Sequence, residues 1–243
     1  MRVVFMGTPA FAVSSLRALA ESGHEIAAVI TQPDRPAGRG ATLRPPAVKR
    51  EALQRGLPVF QPRRVKAPEV LEYLTEIRFE VIVVVAYGQI IPRSIIELPP
   101  LGCVNVHASL LPKYRGAAPI NWAIANGEAH TGVTTMLIEE RLDAGDMLRK
   151  RETEIAPDET AVSLGERLAR IGAELLVETL AALKTGGVVP EKQNEDEASY
   201  APILKRADGK VDWNLSAPRI FDRMRGFQPW PGTFTSFRGK RLH

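Results

Sequence analysis

Residues 81–85 read Val-Ile-Val-Val-Val, five β-branched residues with no polar position among them. Branching at Cβ stiffens the side chain and favours extended backbone. A strand with one wet face alternates apolar and polar residues, so a run that is apolar throughout must be covered on both faces. That requirement points to the interior of a parallel sheet with helices on either side. The surrounding chain repeats the pattern. Residues 3–6 form a short apolar run ending at Gly7, and residues 10–22 then show helical spacing through Val13, Leu16, Leu19 and Ala20, closed by Gly23. Residues 26–30 read as a second strand. Weaker helical stretches at 46–55 and 67–77 precede the strand at 81–86, and further strands are predicted at 102–107 and 132–138. Strands alternating with helices over roughly the first 110 residues indicate βαβ units, an α/β fold with a mostly parallel sheet and flanking helices.

The longest predicted helix spans residues 160–185, where Leu164, Leu168, Ile171, Leu175, Thr179 and Leu183 recur with helical period before Gly186-Gly187. The chain then reads as loop through 187–212. A helix at 218–225 leads into Phe227-Gln228-Pro229-Trp230-Pro231-Gly232, and residues 233–237 and 240–242 flank Arg238-Gly239 as the start of a β-hairpin. The expected organisation is an α/β domain over 1–187, a linker over 188–212, and the start of a truncated β-rich C-terminal domain over 213–243. With 44% hydrophobic and 25% charged residues, the chain is not a disordered one. No apolar run reaches the ~18 residues of a membrane span. The amino terminus lacks a cleavable signal pattern, and the lone Cys103 excludes an internal disulfide. Together these predict a cytoplasmic protein that does not engage a membrane. A net charge of +4 is compatible with an acidic partner.

Three segments carry residues suited to chemistry. Residues 31–46 follow the second strand at the carboxyl edge of the sheet, where α/β proteins place ligands. The stretch is long for a βα connection and rich in Pro, Gly and Arg. It reads either as a solvated surface loop or as an arm that docks on phosphates through Arg35, Arg39, Arg44 and Lys49. The second segment is the strand carrying Asn105 and His107, which two-residue periodicity places on one face with Val104 and Val106 opposite. The pair is either a satisfied core histidine with an asparagine tying down a loop, or a site at the strand's exit. The third is Leu142-Asp143-Ala144-Gly145-Asp146. An acid there is most often a turn residue. Beside His107 it would instead favour the imidazolium.

Other chemistries find no support. Gly7-Thr8-Pro9 is not a G-x-G-x-x-G dinucleotide fingerprint, and no phosphate-binding P-loop, H-E-x-x-H or G-x-S-x-G pattern occurs. One cysteine and four scattered histidines give no metal site.

Taken together, the segments resemble a known family. His107-Ala108-Ser109-Leu110-Leu111-Pro112-Lys113-Tyr114-Arg115-Gly116 resembles the signature of formyltransferases that use 10-formyltetrahydrofolate, and Leu142-Asp143-Ala144-Gly145-Asp146 resembles their second motif. Gln32-Pro33-Asp34-Arg35-Pro36-Ala37-Gly38-Arg39-Gly40 is similar to the long basic loop of the members that formylate methionyl initiator tRNA. Residues 227–232 are similar to the lead-in to those members' C-terminal barrel-like domain. The resemblance implies a Rossmann-like domain, a catalytic trio of Asn105, His107 and Asp143, and a folate site lined by Ser109, Leu110, Leu111 and Pro112. It also implies that Val85, Ala86, Tyr87 and Gly88 border the pterin, with no metal, a monomer, and a role in translation initiation. Arg141 stands where the tRNA-formylating members usually have glycine, and with Pro119-Ile120-Asn121-Trp122 it resembles the members acting on amino-sugar nucleotides. A related formyltransferase or formyl-folate hydrolase, with such an acceptor or with water, is the alternative.

Overall fold

The computed structural model describes residues 1–37 and 42–242. In chain order the elements are β1 (Arg2–Gly7), α1 (Ala10–Glu21), β2 (Glu25–Ile30), β3 (Arg35–Ala37), β4 (Thr42–Arg44), α2 (Ala47–Gln54), β5 (Val59–Phe60), α3 (Pro68–Glu76), β6 (Val81–Val85) and α4 (Arg93–Ile96). There follow β7 (Cys103–His107), β8 (Arg115–Gly116), α5 (Pro119–Ala125), β9 (His130–Leu137), β10 (Met147–Glu154), α6 (Ala161–Lys184), β11 (Tyr200–Ala201), α7 (Ala217–Gly226), β12 (Thr235–Phe237) and β13 (Lys240–Leu242).

The main sheet has seven strands in the order β10-β9-β7-β6-β1-β2-β5. From β5 to β7 every pairing is parallel, and β9 and β10 add antiparallel on the far edge. The apolar run behaves as its composition requires, since every residue of β6 is buried. Its side chains divide between two layers. Val81, Val83 and Val85 pack with Val104, Val106 and the inner faces of α1 and α6, while Ile82 and Val84 pack with Met6, Ile30 and Val70 and Leu74 of α3. By the same alternation Cys103, Asn105 and His107 face the second layer.

The sheet reverses direction of growth at β1, with β2 on one side and β6 on the other. Ligand crevices of open α/β sheets form at such switch points, outside the carboxyl ends of the strands. α6 is fixed at its start by Thr160 and Ser163, each side chain bonded to the other's backbone N–H. Its Gly172 lies against Val106 and Val133 of β7 and β9.

The later chain rests on this body. Asn121 Nδ2 donates to the Gly226 carbonyl (2.7 Å), bringing α5 against α7, and buried Phe227 meets the Trp122 ring edge-on with centroids 5.4 Å apart. Residues 188–212 also contact the body: Glu191 bridges Met147, and β11 pairs in parallel with β8. β12 and β13 form an antiparallel hairpin, and its two-residue turn has positive φ at both Arg238 (+49°) and Gly239 (+75°), as a type I′ turn needs.

Candidate active site

β7 delivers His107 at its carboxyl end, where the ring is buried. Nε2 of His107 lies 2.9 Å from the Tyr114 carbonyl oxygen. A carbonyl oxygen only accepts, so Nε2 carries the hydrogen of that bond. The nitrogen left to gain or lose a proton is Nδ1, and it faces Asp143 Oδ2 at 3.7 Å. Asp143 Oδ2 also accepts the Gly116 N–H at 2.8 Å. Asn105 sits two residues before His107 on the same face, partly exposed, and its side chain makes no hydrogen bond among the described residues. The strand therefore presents an amide and an imidazole side by side, with a carboxylate brought to the imidazole from another loop.

That loop is held in an uncommon shape. Asp143 has φ of +48°, a left-handed conformation that non-glycine residues seldom adopt. A Cβ at Gly145 would lie 1.9 Å from the Leu137 carbonyl oxygen, so only glycine fits. Gln193 donates both of its amide hydrogens across the turn, to the carbonyls of Asp143 (2.8 Å) and Gly145 (2.7 Å), and its oxygen accepts from Arg115 Nε (2.9 Å). Arg115 is almost fully buried and binds Glu195 with both terminal nitrogens, at 3.0 and 3.1 Å. Arg141 adds a third contact to Glu195 at 2.8 Å. The guanidinium of Arg115 first, then that of Arg141, holds the Glu195 carboxyl down at about 2.

The segment between His107 and Arg115 is pinned through its backbone. Ser109 Oγ donates to the Lys113 carbonyl (2.6 Å), and Thr134 Oγ1 donates to the Ser109 carbonyl and accepts from Leu111 N–H. Ser109, Leu111 and Pro112 are buried and Leu110 is partly exposed.

A cavity of about 310 Å³ opens at the switch point, lined by Thr8, Gln32, Arg35, Arg44, Tyr87 and Gly88 among others. The turn after β6 exposes Ala86 and Gly88, both with positive φ, while Val85 and Tyr87 point inward. The Tyr87 carbonyl accepts from Thr8 Oγ1 (2.9 Å) and Gln32 Nε2 (3.3 Å), tying three strand ends together. Burial pushes the Tyr87 hydroxyl up to about 12, which keeps it neutral. The histidine, its carboxylate and residues 109–112 do not line this cavity.

Within the basic segment β3 and β4 pair antiparallel, with Arg35 opposite Arg44. Both are exposed and both reach the cavity. Lys49 instead forms an ion pair with Asp34, Nζ lying 2.8 and 2.9 Å from the carboxylate oxygens. Arg39 lies outside the described residues. Among the described residues no cluster of His, Cys, Asp and Glu could hold a metal ion, and no helix is long and apolar enough to cross a membrane.

The family model described as formyl transferase matches residues 1–180, and that described as formyl transferase, C-terminal domain, matches residues 203–243. The chain belongs to the formyltransferase family. It is 58% identical to the methionyl-tRNA formyltransferase of Solibacter usitatus over 243 residues, all of this chain and 78% of that relative. Identity to the methionyl-tRNA formyltransferase of Caldanaerobacter subterraneus is 56%, covering all of this chain and 79% of that relative. Among solved structures, a 4-N formyltransferase from Francisella tularensis superposes with a TM-score of 0.77 at 15% identity, over 99% of this chain and 95% of that one. An N-formyltransferase from Helicobacter canadensis, solved with folinic acid and dTDP-3-aminofucose, gives 0.74 at 20% identity, over 98% and 84%. At these identities the solved structures speak to the fold.

Sequence reasoning named His107 and Asp143, and the structure brings them together. It missed Gln193, Glu195 and the buried role of Arg115. Nothing in the charged stretch at 191–197 marks Gln193 as the residue that turns inward.

Proposed function

We propose that this formyltransferase moves the formyl group of 10-formyltetrahydrofolate to the α-amine of methionyl initiator tRNA, the first step of a role in translation initiation. The observation that carries the reading is the His107–Asp143 pair with Nε2 committed to a carbonyl, so that one defined nitrogen, Nδ1, handles the proton.

The acceptor amine attacks the formyl carbon as the neutral base, and the carbonyl oxygen gains negative charge as the carbon becomes tetrahedral. Asn105 donates an amide hydrogen to that oxygen, and protonated His107 donates through Nδ1. Preorganised donors of this kind are each worth about 3 kcal/mol in a dry site. Asp143 stabilises and orients the imidazolium and accepts the ammonium proton, directly or through water. The bond from carbon to N10 then breaks, and N10 takes up the proton that the amine gave to Asp143.

The surface suits the donor. Ala86 and Gly88 are exposed, and two apolar side chains, Ile90 (84% exposed) and Leu142 (63%), stand open to solvent. A flat conjugated ring with a hydrogen-bonding rim matches that combination. Ser109, Leu110, Leu111 and Pro112 shape the folate side of the site, through backbone held in place by Thr134. Arg35 and Arg44, with Arg39 between them in sequence, supply the phosphate contacts to tRNA, and Lys49 supports the arm through Asp34. We read residues 1–187 as the catalytic domain, 188–212 as the connection and 213–243 as part of the C-terminal domain. We read the protein as a cytoplasmic monomer.

The test supplies the chain with 10-formyltetrahydrofolate and, in turn, methionyl initiator tRNA, an amino-sugar nucleotide, and no acceptor. Formylation of the tRNA, with little turnover in the other two arms, is expected. Faster formylation of the amino sugar, or release of formate at the same rate without acceptor, overturns the reading.

A further inference from the structure

We infer that Gln193 is a positioning residue for the catalytic carboxylate: with Arg115 behind it, it clamps the 143–145 turn so that Asp143 reaches His107. The inference rests on the reading of Asp143 as catalytic.

The turn cannot hold its own shape. Asp143 sits at positive φ, a conformation that is strained for a residue with a Cβ. Strain of this kind persists only where the surroundings over-determine it. Here Gln193 supplies two of the bonds that do so, beside the Gly116 N–H on Asp143 Oδ2 and the Leu137 N–H on the Asp146 carbonyl. Gln193 spends both N–H groups on the two carbonyls that flank the turn. Its oxygen is taken by Arg115 Nε, so every polar atom of the side chain is used and the amide cannot flip without losing all three bonds. Arg115 is fixed in turn by its fork onto Glu195, which also draws in Arg141, two residues ahead of Asp143.

The same segment reaches the other half of the pair. Ser199 Oγ accepts the Tyr114 N–H at 2.9 Å, and the Ser199 carbonyl accepts the Arg115 N–H at 2.8 Å. The carbonyl of Tyr114 is the one that holds His107 Nε2. Residues 193–199 thus touch both the histidine's partner and the carboxylate's turn, and they join the Gly116 N–H in setting His107 and Asp143 3.7 Å apart. Displacements near 1 Å at a reacting group can cost about a hundredfold in rate.

The experiment is a double-mutant cycle on the full chain, using single-turnover formylation of methionyl-tRNA. Gln193→Met keeps the volume and removes all three hydrogen bonds. It is expected to lower kcat by roughly 10- to 100-fold while both KM values stay within about twofold. Asp143→Asn is expected to be slow by itself. Adding Gln193→Met to it should change the rate by less than about twofold, because the clamp then has no carboxylate left to position. If thermal unfolding shows that Gln193→Met does not fold, Gln193→Glu takes its place in the cycle, since it keeps the acceptor for Arg115 and loses only the two donors. Slow Asp143→Asn with a near-normal Gln193 variant, or a Gln193 penalty that multiplies in full on the Asp143→Asn background, overturns the clamp and leaves the catalytic reading standing. A wild-type rate for Asp143→Asn overturns the catalytic reading and the clamp with it.

Discussion

Two glycines of α6 should respond to alanine with opposite signs. In a helix interior Gly→Ala gains about 1 kcal/mol from backbone entropy and propensity. At Gly165 the added Cβ meets only Ile120 Cδ1, at 3.7 Å, which is ordinary contact, so Gly165→Ala should stabilise the protein by about that amount. At Gly172 the Cβ would lie 2.9 Å from Val106 Cγ1 and 3.3 Å from Val133 Cγ1. Carbon atoms sit comfortably at about 3.5–4.0 Å, so the closer contact is short by roughly 0.6–1.1 Å. Both valines are buried and β-branched, with little rotamer freedom to yield. Overpacking of this kind costs about 1–3 kcal/mol, which exceeds the propensity gain. Gly172→Ala should therefore be destabilising by about 1 kcal/mol, leaving the two variants about 2 kcal/mol apart. For a chain of this length that is a Tm difference of about 4–8 °C. Calorimetry and urea unfolding of both variants give the numbers directly. Val106 lies between Asn105 and His107, so the Gly172 variant should also lose activity where the Gly165 variant does not. Equal or greater stability for Gly172→Ala would refute the claim that α6 is seated against β7 without slack.

Other consequences concern charge. Glu51 bridges Arg17 and Arg55 at 2.7 Å each, and Arg17 above all holds its carboxyl down at about 2, against an ordinary 4.5. A folded value below the unfolded one stabilises above about pH 4.5 and is lost as the pH falls toward 2. In urea titrations, Glu51→Gln should be the less stable at pH 6, with the gap to wild type closing over that window; a constant gap would show that the carboxylate is not what matters. Replacing Arg35 and Arg44 together should raise KM for tRNA and flatten its salt dependence. Lys49→Ala, which removes an ion-paired rather than a free cation, should change the salt slope less, as tRNA titrations at two ionic strengths would reveal.

The interior of the sheet was legible in the sequence because burial on both faces writes itself as unbroken β-branched runs, as in β6, and β2 and β7 follow with short apolar strands. Alternation placed Asn105 and His107 on one face. The edge was harder. β10 carries Arg149, Lys150, Arg151, Glu152 and Glu154, the charged pattern that protects an edge strand and hides it from a search for apolar periodicity. Pro119 at the first turn of α5 was a usable start signal, yet the helix is only seven residues long. β9 runs antiparallel to β7, which periodicity alone does not distinguish from parallel. The arm at 31–46 looked like pure loop because two three-residue strands leave no period to read. At the site, chemistry-bearing residues could be named individually. What brings them together is the return of residues 193–199 to β8, a long-range contact with no local signature.

The central claim is that Asn105, His107 and Asp143 transfer a formyl group from folate to methionyl-tRNA. It is tested most directly by following labelled formyl from 10-formyltetrahydrofolate into methionyl-tRNA in single turnover, wild type beside Asp143→Asn. The account predicts transfer by the wild type and a rate at least about a hundredfold lower in the variant, the scale of losing one acid–base group, with unfolding temperature nearly unchanged. Equal rates in the two proteins, or no transfer by the folded wild type, would contradict it.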